Sequence, residues 1–207
     1  MADWYRRKTW TKIDEEEFFA KLGRARKDGR AQYLKIQAIE LVDSKDQKLL
    51  KVAEMLLNKM LTEYPDDNFN KGSALHTLGN IYKEREENTV AIDYYKKALD
   101  FEIVYPNVKT QAYLNYSELI IKTNETSKFG EVEDILIERQ PKLLFPLEKY
   151  IVNSILSIIN KHNGKTERAF FYAELAEQNA NTETSDLRYH KKLGLVNKRK
   201  TWLDKLL

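Results

Sequence analysis

Three histidines and several close carboxylate clusters are the residues of this chain whose types suit acid–base or metal chemistry. His76, His162 and His190 are far apart, and none sits in an H-E-x-x-H or similar pattern that would put two imidazoles on one metal. The carboxylates at Glu15 to Glu17, Asp66 with Asp67, and Glu86 with Glu87 fall where helices start or the chain turns. Helix dipoles and solvation account for them there. No G-x-S-x-G, Walker loop or G-x-G-x-x-G occurs, so acyl, nucleotide and dinucleotide chemistry lack their usual backbone cradles. Cysteine is absent, which excludes disulfides, thiolate nucleophiles and Cys-ligated zinc and fits a reducing compartment. The expectation is a protein that is not an enzyme and uses no metal or cofactor.

The elements that carry these residues are helical. The chain has 207 residues, seven glycines, four prolines and 32% charged side chains, a balance that suits helices joined by short loops. No stretch approaches the roughly 20 apolar residues of a membrane span, so a soluble, cytoplasmic protein is expected. The net charge of +3 is too small to indicate nucleic acid by itself, but it is unevenly placed. Both ends are net basic and the middle is net acidic. The basic ends read as solvated outer faces, or alternatively as docking patches for an acidic protein or RNA.

One segment organises the rest. Between Leu75 and Ala98 the chain reads LHTLGNIYKEREENTVAIDYYKKA, which resembles the tetratricopeptide-repeat signature. In such a repeat Leu75, Leu78 and Tyr82 share one face of a first helix, while Ala91, Tyr95 and Ala98 face back from a second. Gly79 is small where the two helices approach. With this hairpin as ruler, an earlier one runs from about Leu34 to Pro65, with Ala53, Leu57 and Met60 at matching positions. A third, the least regular, begins at TQAYLNYSELIIK, where Ser117 replaces the glycine. A fourth runs from Tyr150 to about Asn181, with Ser157 in the first helix and Ala169, Ala173 and Ala176 in the second.

The expected organisation is one domain: an N-terminal segment and helix over 1–30, four hairpins over 31–185, and a capping helix over 186–207. The N-terminal helix is expected to start at a D-x-x-E capping box, Asp14 to Glu17. The capping helix is expected to cover the last hairpin with Leu193, Val196 and Trp202. The polar run PDDNFNKG reads as a turn. Tyr82, Tyr94, Tyr95 and Phe170 read as packing residues. Trp4, Tyr5 and Trp10 are expected to cover the first hairpin, with contact to a partner as the alternative.

The resemblance implies an all-α, right-handed superhelix whose first helices line a concave groove that holds another protein. Residues 1–40, with Trp4, Tyr5, Trp10 and the run FFAKLGRARKDGRAQYLKIQAIEL, are also similar to a recurrent opening of small bacterial repeat proteins. Carried onto this sequence, the groove comprises Lys35, His76, Asn80, Lys83, Gln111, Asn115 and Glu118. Some relatives clamp a chaperone's terminal carboxylate with two asparagines and several cations. Asn80 and Asn115 match the asparagines, but His76, Ile151 and Ile155 stand at cationic positions, so that ligand is not expected. The partner implied is one specific protein, with a bacterial immunity protein masking a toxin the most concrete case. The alternatives are an adaptor or secretion-type chaperone holding an extended peptide and, less in keeping with an acidic array, an RNA reader.

Overall fold

The computed structural model describes residues 3–207, and every regular element among them is helical. The chain forms two compact units, one running to Ala112 and the other covering Tyr113–Leu207.

The first unit opens with an irregular strap, residues 3–11, followed by α1 (Lys12–Arg24). Thr11 is the true N-cap of α1: its hydroxyl accepts from the Asp14 amide while the Asp14 carboxylate accepts from the Thr11 amide. The capping box therefore lies three residues before the one read from Asp14 to Glu17, because Ile13 and Asp14 already have helical geometry. A single 3-10 turn leads into α2 (Arg30–Val42), which pairs with α3 (Gln47–Glu63). Next come α4 (Asn68–Glu84) and α5 (Asn88–Val104). The run read as a turn, PDDNFNKG, is turn only up to Asp67, whose carboxylate caps α4 through the Asn70 amide at 2.9 Å. α2 packs against both α3 and α4, and α3 also touches α4. Leu34, Leu41, Leu50, Leu57, Met60, Leu78 and Ile81 are fully buried between them.

Gly79 is required by its surroundings. A Cβ there would lie 2.4 Å from the ring of Tyr95, which is itself completely buried between Ala91 and Ala98 on α5. The small residue thus makes room for a ring rather than for a second backbone. In the last turn of α5 the buried carboxylate of Glu102 anchors the connection that follows by accepting from the Thr110 amide and hydroxyl, at 2.8 and 2.6 Å.

The second unit contains α6 (Ala112–Lys122), α7 (Phe129–Arg139), α8 (Pro146–His162) and α9 (Thr166–Ala180). In α8, Ser157 packs where Gly79 lies in α4, and its hydroxyl donates to the Ala169 carbonyl of α9 at 2.7 Å. Each hairpin turn contains one residue with left-handed backbone: Lys45, Glu86, Asn124 and Gly164. After the last three, the following amide bonds back to a carbonyl in the preceding helix, Glu87 to Tyr82, Glu125 to Ile120 and Lys165 to Asn160. This is the helix-closing geometry that glycine adopts without cost and that glutamate and asparagine tolerate here.

The expected capping helix does not form. Residues 182–200 are turns and bends, and only the short α10 (Thr201–Asp204) is helical. Gly194, at φ 71°, bends the segment against Phe145, and Leu193 is left 54% exposed. Of the intended covering residues Val196 and Trp202 are half-buried, and the fully buried anchor is Leu203. Phe170, read as a packing residue, is 65% exposed on α9.

Candidate functional site

The seven residues expected to line a groove are divided between the units. Lys35 on α2 and His76, Asn80 and Lys83 on α4 occupy neighbouring helices of the first unit, all half-buried. Burial pulls the Lys35 ammonium below its usual range, with Asp67 opposing that shift, and its Nζ stands 6.0 Å above the exposed ring of Phe69. Asn80 faces inward more than the sequence suggested, since its carbonyl accepts from the Tyr95 hydroxyl at 2.8 Å. The His76 ring lies 5.7 Å from the same tyrosine. These two residues therefore help seat Tyr95 as well as bordering the α4 surface. Gln111 is exposed just before α6, while Asn115 and Glu118 lie on α6 itself.

Glu118 is already occupied. It is buried and paired with Lys200 from the closing segment, residues 182–207. That segment follows α8 from its start to its end. The Gly194 carbonyl accepts from the Leu147 amide at 2.8 Å, and Asp186 pairs with Lys149 at 3.0 Å. The buried Tyr150 hydroxyl donates to Asp204 at 2.7 Å and accepts from the Lys200 amide at 3.2 Å. Lys161 then reaches the Leu207 carbonyl at 2.8 Å. Arg199 braces the arrangement, donating to both oxygens of Glu177 on α9 at 3.0 and 2.6 Å and to Asp204 at 3.2 Å. Burial, and then the bond to Asp204, push the Tyr150 phenol up to about 12. Arg199 holds the Glu177 carboxyl below its ordinary value.

Sequence reasoning missed this arrangement. The run Asn197 to Lys200 carried the available signal, three consecutive cations shortly before an apolar Trp-Leu pair, but it reads equally as a solvated basic face.

The N-terminal cations are also engaged. Arg6 pairs with Glu40 at 2.7 Å, Lys8 with the same carboxylate, and Arg7 with Asp14 and Glu17, each at 2.5 Å. Trp4 lies 5.3 Å from Phe18 and 5.0 Å from Tyr33, and Trp10 lies 5.3 Å from Phe18. The aromatic residues of the strap thus cover α1 and the start of α2, rather than the first hairpin as a whole. Beside them a cleft of about 690 Å³ is lined by Trp4, Tyr33, Lys21, Arg24, Arg26 and Asp28, its charged groups all facing solvent.

Ile151 and Ile155, which stand at the cationic positions of a carboxylate clamp, are buried in the second unit. His162 and His190 are exposed, and among the described residues no group of three or more histidines and carboxylates is placed to hold a metal. No described helix is long and apolar enough to cross a membrane. Comparison with protein-family models, curated proteins and solved structures gives no match to this chain.

Proposed function

We propose that the chain is a non-catalytic protein-binding module of the tetratricopeptide-repeat type, in which first helices of successive hairpins present a surface to one specific protein. The supporting observation is the side-by-side packing of α2 and α4, which sets Lys35, His76 and Lys83 on adjoining helices as half-buried polar groups. Four hairpins closed by one left-handed residue each are consistent with a repeated unit. Half-buried cations suit recognition because a partner carboxylate completes their desolvation with a charge-assisted bond.

A folded partner of the toxin-domain kind would use this surface broadly. The second reading, an adaptor or chaperone for an extended peptide, is favoured by one observation: a largely irregular segment already lies along α8. RNA recognition is less favoured, since of the cations in the runs 6–8 and 197–200, Arg6, Arg7, Lys8, Arg199 and Lys200 are paired with carboxylates of the chain itself, while Lys198 is exposed.

The test is titration of the partner identified by co-purification against Lys35→Glu/Lys83→Glu. The double reversal should weaken binding at least about tenfold, roughly 1.4 kcal/mol, with unchanged helical circular dichroism. Unchanged affinity would remove α2 and α4 from the interface.

A further inference from the structure

We infer that the surface of α8, with Glu118 of α6 at its edge, is a peptide-binding groove held closed in cis by residues 185–207. A partner opens it by presenting a segment of the same chemistry: a cation, an apolar residue three positions on and an acid four positions on. Lys200, Leu203 and Asp204 are the resident example. This deepens the reading of a protein-binding surface and rests on it.

The groups that receive the segment are laid out for a ligand. Glu118 is buried and takes a cation. Tyr150 donates to an acid while accepting from a backbone amide, and Lys161 donates to main-chain oxygens. Leu203 is fully buried as the apolar knob between them. The segment, in contrast, is built to leave. From 182 to 207 only Ser185 and Leu203 are buried, and Tyr189, Leu193 and Leu206 are exposed. Its internal backbone bonds are local turns, such as Ser185 with Lys191 and Leu193 with His190. A segment fastened by polar contacts with little apolar burial belongs to the low-stability end of a fold. As a tethered ligand it still outcompetes dilute peptide, because its effective concentration is on the order of millimolar.

The full chain carrying Lys200→Glu places a carboxylate against Glu118 and should release the segment. Three measurements are made on it and on the wild-type chain: amide exchange of residues 195–207, circular dichroism, and anisotropy of a labelled peptide spanning 195–207. The expected result is fast exchange in the variant with unchanged helicity, and peptide binding at least about tenfold tighter than to wild type. The double variant Glu118→Lys/Lys200→Glu should restore protection and exclude the peptide again. Unchanged protection in Lys200→Glu overturns the inference. So does loss of helicity, which would make the segment an integral part of the unit. Release without a gain in peptide binding overturns it too, as does a dimer with residues 195–207 still protected, which would mean exchange between copies. None of these readouts uses the partner or the α2 and α4 surface, so failure here is separable from failure of the proposed function.

Discussion

Residues 3–11 and 182–207 are both irregular segments laid over helices, yet they are fastened by different physics. The first is pressed down by rings: Trp4, Tyr5 and Trp10 pack on Phe18, Phe19 and Tyr33 and extend the core of α1 to α4. Its backbone is also held by a buried side chain, since Gln37 accepts from the Arg7 amide at 2.9 Å and donates to the Arg7 carbonyl at 2.8 Å. The closing segment is longer but contributes one buried apolar residue, Leu203, and is otherwise tied by ion pairs and hydroxyl bonds. Apolar burial scales with area and is not screened by salt, whereas exposed ion pairs are worth little singly and are screened. The contrast teaches that a terminal segment can be part of the fold or a ligand of it.

The largest expected effect breaks the first side of that contrast. Trp4→Ala should cost about 2 to 3 kcal/mol, below the full value for a buried indole because Trp4 is partly exposed. Leu193→Ala, at an exposed apolar position of the closing segment, should stay within about 0.5 kcal/mol. Chemical denaturation measures both, and equal losses would erase the distinction. A smaller effect probes the polar fastenings alone. Gln37→Leu strands the Arg7 amide and carbonyl at a fully buried position and should cost about 1 to 3 kcal/mol. Lys161→Ala, which frees an exposed carbonyl, should cost under about 0.5 kcal/mol in the same assay.

Much of the helical framework was legible because it depends on local periodicity. Leu75, Leu78 and Tyr82, and then Ala91, Tyr95 and Ala98, recur at helical spacing; that the two helices pair, with Gly79 at a close approach, is what the repeat resemblance implied. What covers Gly79, a tyrosine ring rather than a helix backbone, depends on a rotamer that no spacing encodes. The start of α1 was misplaced because Asp14 fits both as N-cap and as the third residue of the box, and only backbone geometry distinguishes them. The closing segment was misread for a related reason. Leu193 and Val196 are three residues apart, as on one helix face, but Gly194 between them adopts φ 71° against Phe145, and a tertiary contact there overrides the local pattern. Glu118 looked like a groove residue from α6 alone. Its ion pair comes from 82 residues further along the chain, a distance across which sequence pattern carries no register.

The smallest expected effects sharpen the contrast by pH. Asp14 is held down to about 2, chiefly by the Thr11 amide and hydroxyl and further by Arg7. A carboxyl depressed in the fold contributes stability above its unfolded value of about 3.9, and this is lost as pH falls from about 4 toward 2. Acid should therefore loosen the strap at Thr11 and Arg7 first. Tyr150 is shifted the other way, to about 12, so its contribution is complete below about 10 and is lost as pH rises from there toward 12. Asp204, Arg199 and the Lys200 amide face the same hydroxyl, and of these Asp204 loses its donor when the phenol ionises. The three tryptophans report the two ends separately, because Trp4 and Trp10 lie in the strap and Trp202 in α10. With Trp4 and Trp10 replaced by Phe, emission from Trp202 should be steady in acid and change between about pH 10 and 12; with Trp202 replaced instead, the acid change should appear. Ionisation of other tyrosines also quenches tryptophan, so the decisive comparison is Tyr150→Phe, which should weaken the closing segment against salt already at neutral pH and remove its share of the change between about pH 10 and 12, while leaving the acid transition in place. An alkaline response of Trp202 identical with and without the Tyr150 hydroxyl would show that the segment is held by apolar contact, as the N-terminal strap is, and the distinction between the two ends would collapse.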